Sequence, residues 1–239
     1  LPDEKKTTVM DGHGGYMNGS RYYGEDLPIN TWYMKRFAGL SEDGLSLWYY
    51  TDKETNEEKT TTTYSTGDFY LCGDPNPDLY GGFGTSITFH GFDLSTQFSY
   101  LVGGLTYDYG YASMMGNPTA TSVGNRWHKD VLKAWSPENP SSTIPRWYFN
   151  DLNTTGSSDR FLIDGSYLNL QNIQVGYTLP DSWTSHLKIK NLRLYFVCDN
   201  VYYWSKRKGL DPRRSISGVG TSGKIAPFRT YSGGISLQF

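Results

Sequence analysis

The sequence predicts an all-β protein, and within that class an antiparallel transmembrane β-barrel segment with long extracellular loops. Three observations lead there. Aromatic residues make up 16% of the 239 residues and glycine contributes 27, a composition that favours strands joined by many turns. Several segments alternate between apolar and small polar residues, the period of a strand with a different environment on each face. The connections between them alternate between short and long, as in outer-membrane barrels.

The composition also excludes several classes. A net charge of −2 does not suit a protein that holds nucleic acid through a strongly basic field, so no nucleic-acid partner is expected. Charged residues are only 19% of the chain beside 37% hydrophobic, which argues against global disorder. No run of 18 apolar residues occurs, so no transmembrane helix is expected. The opening LPDEKKTTVMDG lacks the apolar core of a signal peptide. Cys72 and Cys198 are too few for a disulfide scaffold.

The strands follow in order. Residues 31–38 and 46–50 are weaker candidates. In 82–102, Phe83, Thr85, Ile87 and Phe89 share one face; after a tight turn near Gly91, Phe92, Leu94, Thr96, Phe98, Tyr100 and Val102 share the next. This reads as a hairpin with one apolar and one small polar face. A third long strand spans about 168–178, with Ile173, Val175 and Tyr177 opposite Asn172, Gln174 and Gly176. A fourth spans 192–200, with Leu192, Leu194, Phe196 and Cys198 on one side. The last, 229–239, sets Tyr231, Gly233, Ile235, Leu237 and Phe239 against Ser232, Gly234, Ser236 and Gln238. Segments 103–161 and 204–228 read as long loops. One short helix is expected in the first, because Trp127, Val131 and Trp135 fall at i, i+4 and i+8 before Ser136-Pro137.

Alternation alone fits a soluble sandwich, with the apolar face inward, or a barrel, with that face toward lipid. A soluble extracellular glycan-binding sandwich is therefore the alternative. Three features favour the barrel. Phe239 closes an amphipathic strand and looks like the signal that barrel-assembly machinery reads, carried by Tyr231, Gly233, Ile235, Leu237 and Phe239. The loop asymmetry is the second. The third is that such a strand at a sheet edge invites aggregation unless a closed barrel removes the edge. With Phe239 at the periplasmic side, both long loops lie outside the cell and both short connections in the periplasm.

The chain resembles the C-terminal part of SusC/RagA-type TonB-dependent outer-membrane transporters of Bacteroidetes. The stretches that carry the resemblance are GDPNPDLYGGFG (73–84), GFDLS (91–95), WSPENPSSTIPRW (135–147) and DRFLIDGSYLNLQNIQVGYTLP (159–180). NLRLYFVCDNVYYWSKRKGLDP (191–212) and RTYSGGISLQF (229–239) complete the set, with YGEDLPINTWYMKRFAGL (23–40) a looser match. The resemblance implies a plugged 22-stranded barrel, an extracellular SusD-like lipoprotein lid, coupling to the TonB complex, and oligosaccharide or peptide cargo. A signal peptide, plug and TonB box are not among these residues. Residues 1–239 are therefore expected to be the C-terminal barrel part of a longer polypeptide in the outer membrane.

The remaining motifs carry less. GVGTSGK (218–224) has the spacing of a phosphate loop, but Ile225 follows it and Pro227 forbids the helix that would hold phosphate, so it reads as a loop. Lys206, Arg207, Lys208, Arg213 and Arg214 read as a solvated basic loop, the alternative being attraction of lipopolysaccharide or an acidic ligand. Asp74 and Asp78 suit a turn better than a calcium site. His13, His90, His128 and His186 lack ligand spacing. No catalytic set stands out, so no enzyme, metal or cofactor is expected. Tyr202, Tyr203 and Trp204 read as interface anchors in the bilayer, the alternative being stacking on a sugar or peptide from the loops or lumen. Trp127, Trp135, Trp147 and Tyr148 are the candidates for ligand contact, with packing or contact with the lid as the other role for Trp127 and Trp135.

Overall fold

The computed structural model describes residues 8–10, 13–120, 124, 126–154, 156–184, 188–214, 217–219 and 227–239. Along the chain run β1 (Thr8–Met10), β2 (His13–Asn18), β3 (Arg21–Gly24), β4 (Thr31–Lys35), β5 (Phe37–Leu40), β6 (Ser46–Thr51), β7 (Glu58–Thr61) and β8 (Phe69–Leu71). There follow β9 (Leu79–Phe89), β10 (Phe92–Val102), β11 (Leu105–Tyr107), β12 (Leu162–Asp164), β13 (Tyr167–Thr178), β14 (Asn191–Ser205) and β15 (Thr230–Gln238). Two short helices, α1 (Tyr109–Met114) and α2 (Asp181–Thr184), sit among them. Neither is long and apolar enough to cross a membrane.

The chain divides into two compact units. One comprises Pro77–Gly103, Gly165–Arg213 and Lys224–Phe239. Its frame is an antiparallel sheet in the order β15-β14-β13-β10-β9, the five long strands of the sequence pattern in the expected up-and-down succession. The β9–β10 hairpin turns on His90 (φ 47°) and Gly91 (φ 85°). Two positive φ angles in a two-residue loop match the right-handed twist of the flanking strands.

Register places the apolar residues in continuous cross-strand rows. Ile87, Leu94, Val175 and Phe196 form one row, and Phe83, Phe98, Leu170 and Tyr202 another. The apolar positions of β13 change parity along the strand, since Leu168 and Leu170 are even-numbered whereas Ile173, Val175 and Tyr177 are odd. A bulge reconciles them. Gln97 and Phe98 of β10 pair with Asn172 and Leu170, so Gln171 is one residue extra. Opposite it, β14 takes two extra residues, because Leu170 and Asn172 pair with Tyr202 and Asp199. One of the two, Asn200, adopts φ 53°, a conformation asparagine tolerates. An odd insertion flips β13 and an even one leaves β14 in phase. β14 also runs past its expected end, so Tyr202, Tyr203 and Trp204 lie within the strand.

The other unit comprises Leu1–Asn76, Gly104–Asp164 and Arg214–Gly223. It holds the sheets β1-β2-β3-β4-β8, β5-β6-β7 and β11-β12. Its core is Trp32, Met34, Tyr107, Met115 and Phe161, flanked by Cys72, Val131, Ile144 and Leu162. Burial pushes the Tyr107 hydroxyl up to about 12 and the Cys72 thiol up to about 11, so neither ionises near neutral pH.

This packing corrects the reading of 103–161 as a long irregular loop. The segment contributes β11, α1 and part of the core. Asp108 caps α1 by accepting from Tyr111 N at 3.0 Å. The helix expected at 127–135 is instead a 3₁₀ turn over Lys129–Lys133, capped by His128 Nδ1. At three residues per turn Trp127 and Trp135 fall outside it, which removes their shared helical face.

Candidate functional site in the sheet faces and the loop aromatics

The long-strand sheet presents two chemically distinct surfaces. On the apolar one, Phe83, Ile87, Phe89, Phe92 and Phe196 are at least half exposed. So much bare aromatic and aliphatic surface is unusual for a protein in water. A sandwich would enclose this face as core, and these exposures speak against one. Trp204, Tyr202 and Tyr100 stand at the end remote from the β9–β10 turn.

The opposite face carries Ser95, Asn169, Asn172, Gln174, Asp199 and the glycines between them. Arg193 on β14 reaches across β13 to Asp93 on β10, donating from Nε at 2.9 Å and Nη2 at 2.6 Å. Gly176 lies beneath, where any Cβ would fall on both partners. Asn172 donates to Asp199 at 2.7 Å and Asn169 to Ser99 at 3.3 Å. Arg213 donates to both carboxylate oxygens of Asp211 at 2.8 Å and to Asn169 Oδ1 at 2.6 Å, and its guanidinium lies 4.5 Å from the Tyr203 ring centre. Arg213 is thus a fixed part of the wall, not a solvated loop charge. A polar, hydrogen-bonded face opposite a lipid-compatible one is the division of an outer-membrane strand.

The expected assembly signal maps onto β15 with alternating orientation. Tyr231, Ile235, Leu237 and Phe239 are exposed, and Tyr231 stacks on Phe196 at 6.0 Å. Gly233 has ordinary space around an added Cβ, whereas at Gly234 the Tyr195 ring occupies that position. Tight packing therefore demands glycine at 234, not 233.

The four candidate ligand aromatics lie in the other unit and are not one cluster. Trp127 and Trp147 come together, ring centres 5.6 Å apart and nearly perpendicular. Both indoles donate to the Gly116 carbonyl, at 3.1 and 3.4 Å. Trp135 packs its ring over Gly44, whose φ is 73°. Tyr148 lies beside the Arg146 guanidinium at 5.2 Å. Trp147, Tyr148 and Phe149 form an exposed aromatic run. Phe149 and Arg146 were missed by the sequence reading, although they adjoin its Trp-Tyr pair.

Among the other motifs, Asp74 Oδ1 accepts from Asn76 N at 2.8 Å, the turn chemistry anticipated. Residues 220–224 of the loop motif, His186, and the Arg214 side chain lie outside the described residues.

The chain is 29% identical to TonB-dependent receptor P3 of Formosa agariphila over 94% of its length, covering 22% of that protein. It is 27% identical to TonB-dependent receptor SusC of Bacteroides thetaiotaomicron over 74% of its length, covering 17% of that one. A chain from the structure of the RagAB peptide transporter superposes on all of it with a TM-score of 0.72 at 23% identity, this chain covering 24% of the other. No family model matches. The chain spans about a fifth of the curated relatives it matches. Those relatives are receptors and the structural neighbour a transporter; the shared fold is an antiparallel β-barrel segment.

Proposed function

From the premise that the chain is homologous to TonB-dependent receptors of the SusC and RagA kind, we propose that it forms part of an outer-membrane importer of oligosaccharides or peptides. The single observation that carries this is the two-faced sheet. Five antiparallel strands share one exposed apolar face and one polar, hydrogen-bonded face. β9 and β15 each pair on one side within this sheet, and the proposal joins them through further strands into a plugged barrel of 22 strands. The β9–β10 turn faces the periplasm and the residues beyond Ser205 face outward.

In this reading the chain makes and breaks no bond. TonB-driven rearrangement of a plug moves the cargo, and a SusD-like lipoprotein closes over it. Trp147 and Tyr148 offer flat faces to a sugar ring or peptide side chain, while Trp127 and Trp135 brace the loops that carry them. Tyr231, Gly233, Ile235 and Leu237 of β15, with Phe239 directly after it, serve as the signal read by barrel-assembly machinery. The outer surface contacts the bilayer and lipopolysaccharide.

The test uses the full polypeptide that contains these residues. It is expected in the outer-membrane fraction, with a gel mobility that shifts on heating. Cells carrying it should accumulate a labelled oligosaccharide or a labelled oligopeptide only while TonB is functional, and which label enters identifies the cargo class. A polypeptide recovered soluble without detergent, or accumulation indifferent to TonB, overturns the proposal.

A further inference from the structure

The β14–β15 ladder ends at Asp199↔Thr230, yet β14 continues to Ser205. β15 begins at that last pair, and a groove of about 540 Å³ lies beside the overhang of β14. Its walls include Tyr202, Tyr203, Trp204, Lys208, Arg213 and Arg229. The volume falls in the range of small-molecule sites.

The groove has a distinct chemistry on each side. Tyr202 and Trp204 project on the apolar face, about half exposed and 4.8 Å apart in an edge-to-face pair. Below them the face continues through Leu170, Ile173, Cys198 and Phe196. Lys208 and Arg229 are exposed cations at the rim. Arg213 is held by Asp211, so the acidic group in that loop is already engaged. The αL turn at Asn200 is tied by Asn200 Nδ2 donating to Phe228 O at 3.1 Å, which sets the segment bearing Arg229 against the groove.

We propose that this groove seats the phosphorylated sugar headgroup of an outer-leaflet glycolipid. Lys208 and Arg229 take the phosphate, Trp204 and Tyr202 pack on the sugar, and the acyl chains run down the apolar face. The assignment rests on the barrel reading above, which puts this end of β14 at the outer leaflet. Two features select a lipid over a free anion: the cations line the same groove as Tyr202 and Trp204, and those rings stand at the end of the apolar surface. Basic clusters beside a membrane-embedded surface attract anionic headgroups, and amphipathic rings settle at the headgroup level.

The full receptor polypeptide in mild detergent, titrated with bisphosphorylated lipid A and read by native mass spectrometry, tests the proposal. Wild type is expected to bind lipid A and the K208Q/R229Q double variant to bind it at least tenfold more weakly. Lipid A stripped of both phosphates should bind wild type at least tenfold more weakly and be indifferent to the substitutions. Equal binding by wild type and variant, or no dependence on the phosphates, overturns the site. Displacement of lipid A by millimolar inorganic phosphate overturns the lipid assignment in favour of a free-anion site. Outer-membrane abundance and the heat shift of the variant should match wild type. If wild type itself lacks that shift, the barrel reading has failed rather than the site.

Discussion

At Gly176 the absence of a side chain is what permits an ion pair to span three strands. Arg193 and Asp93 stand on β14 and β10, with β13 between them, and the two-pronged bond passes over Gly176. Gly176→Ala should displace both partners and destabilise the folded state by about 1–3 kcal/mol, the usual cost of overpacking. The check is the rate of loss of the heat-resistant gel form. A rate equal to wild type would mean that the arginine moves aside freely. The glycine was visible in the sequence as one small residue of an alternating strand. Its reason was not, because the partners lie 83 and 17 residues away in number and meet only through register.

Asp52 shows a second residue-scale effect, this one local. Its carboxylate accepts from Lys59 Nζ at 2.5 Å, Glu54 N at 2.9 Å and Thr55 N at 3.3 Å. The lysine bond, then the two backbone bonds, hold its pKa down at about 2. The folded value lies below the unfolded one, so the carboxylate favours the folded turn fully above pH about 4. That contribution is lost as pH falls from there toward about 2. Hydrogen-exchange protection of residues 52–59, corrected for intrinsic rates, should decline over that interval in wild type. Asp52→Asn should start lower and stay flat; a parallel decline in the variant would assign the change to other groups.

At the scale of elements, the bulge at Gln171 is the feature on which the sheet depends. Deleting Gln171 would remove the parity change of β13 and turn Leu168 and Leu170 to the polar face. The deletion is expected to abolish the heat-resistant form, whereas Gln171→Ala, which keeps the backbone count, should retain it. Survival of the deletion would show that the ladder can shift by one residue. The long strands were legible because nine to fifteen residues carry enough alternation to stand out. Strands of the other unit were harder for a physical reason. β4 is buried at all five positions, including Thr31 and Lys35, so it has no polar phase to read. The rings of Trp32 and Tyr33, and the Lys35 ammonium on the Tyr64 carbonyl at 2.5 Å, are satisfied by distant segments. α1 carried one local sign, the capping Asp108, and no amphipathic face long enough to confirm it. The loop aromatics were legible as residue types, but their division into a Trp127–Trp147 pair, a ring over Gly44 and an Arg146-backed tyrosine is tertiary.

For the whole molecule the decisive property is which solvent the apolar face meets, and depth is the variable that separates the choices. A lipid-facing residue near the bilayer midplane loses about 2–4 kcal/mol on replacement by arginine, falling to about 0–1 kcal/mol near the interfaces. In a water-soluble core the cost follows local burial instead. Ile173 lies in a middle row, between Thr96 and Cys198, whereas Phe92 stands beside the β9–β10 turn. Gln174 is the neighbour of Ile173 on the polar face. Ile173→Arg should therefore cost about 2–4 kcal/mol, Phe92→Arg no more than about 1 kcal/mol, and Gln174→Arg little despite being one residue from the first. Folding of the full polypeptide into lipid vesicles, followed by urea titration, measures all three. Both readings rank Ile173 above Phe92, and Ile87 separates them: it is 55% exposed against 57% for Phe92 but lies one row further from the turn, so burial predicts like costs for Ile87→Arg and Phe92→Arg whereas depth predicts the greater cost at Ile87. Equal costs at Phe92 and Ile87 would remove the depth dependence that a bilayer imposes, and with it the assignment of this face to lipid.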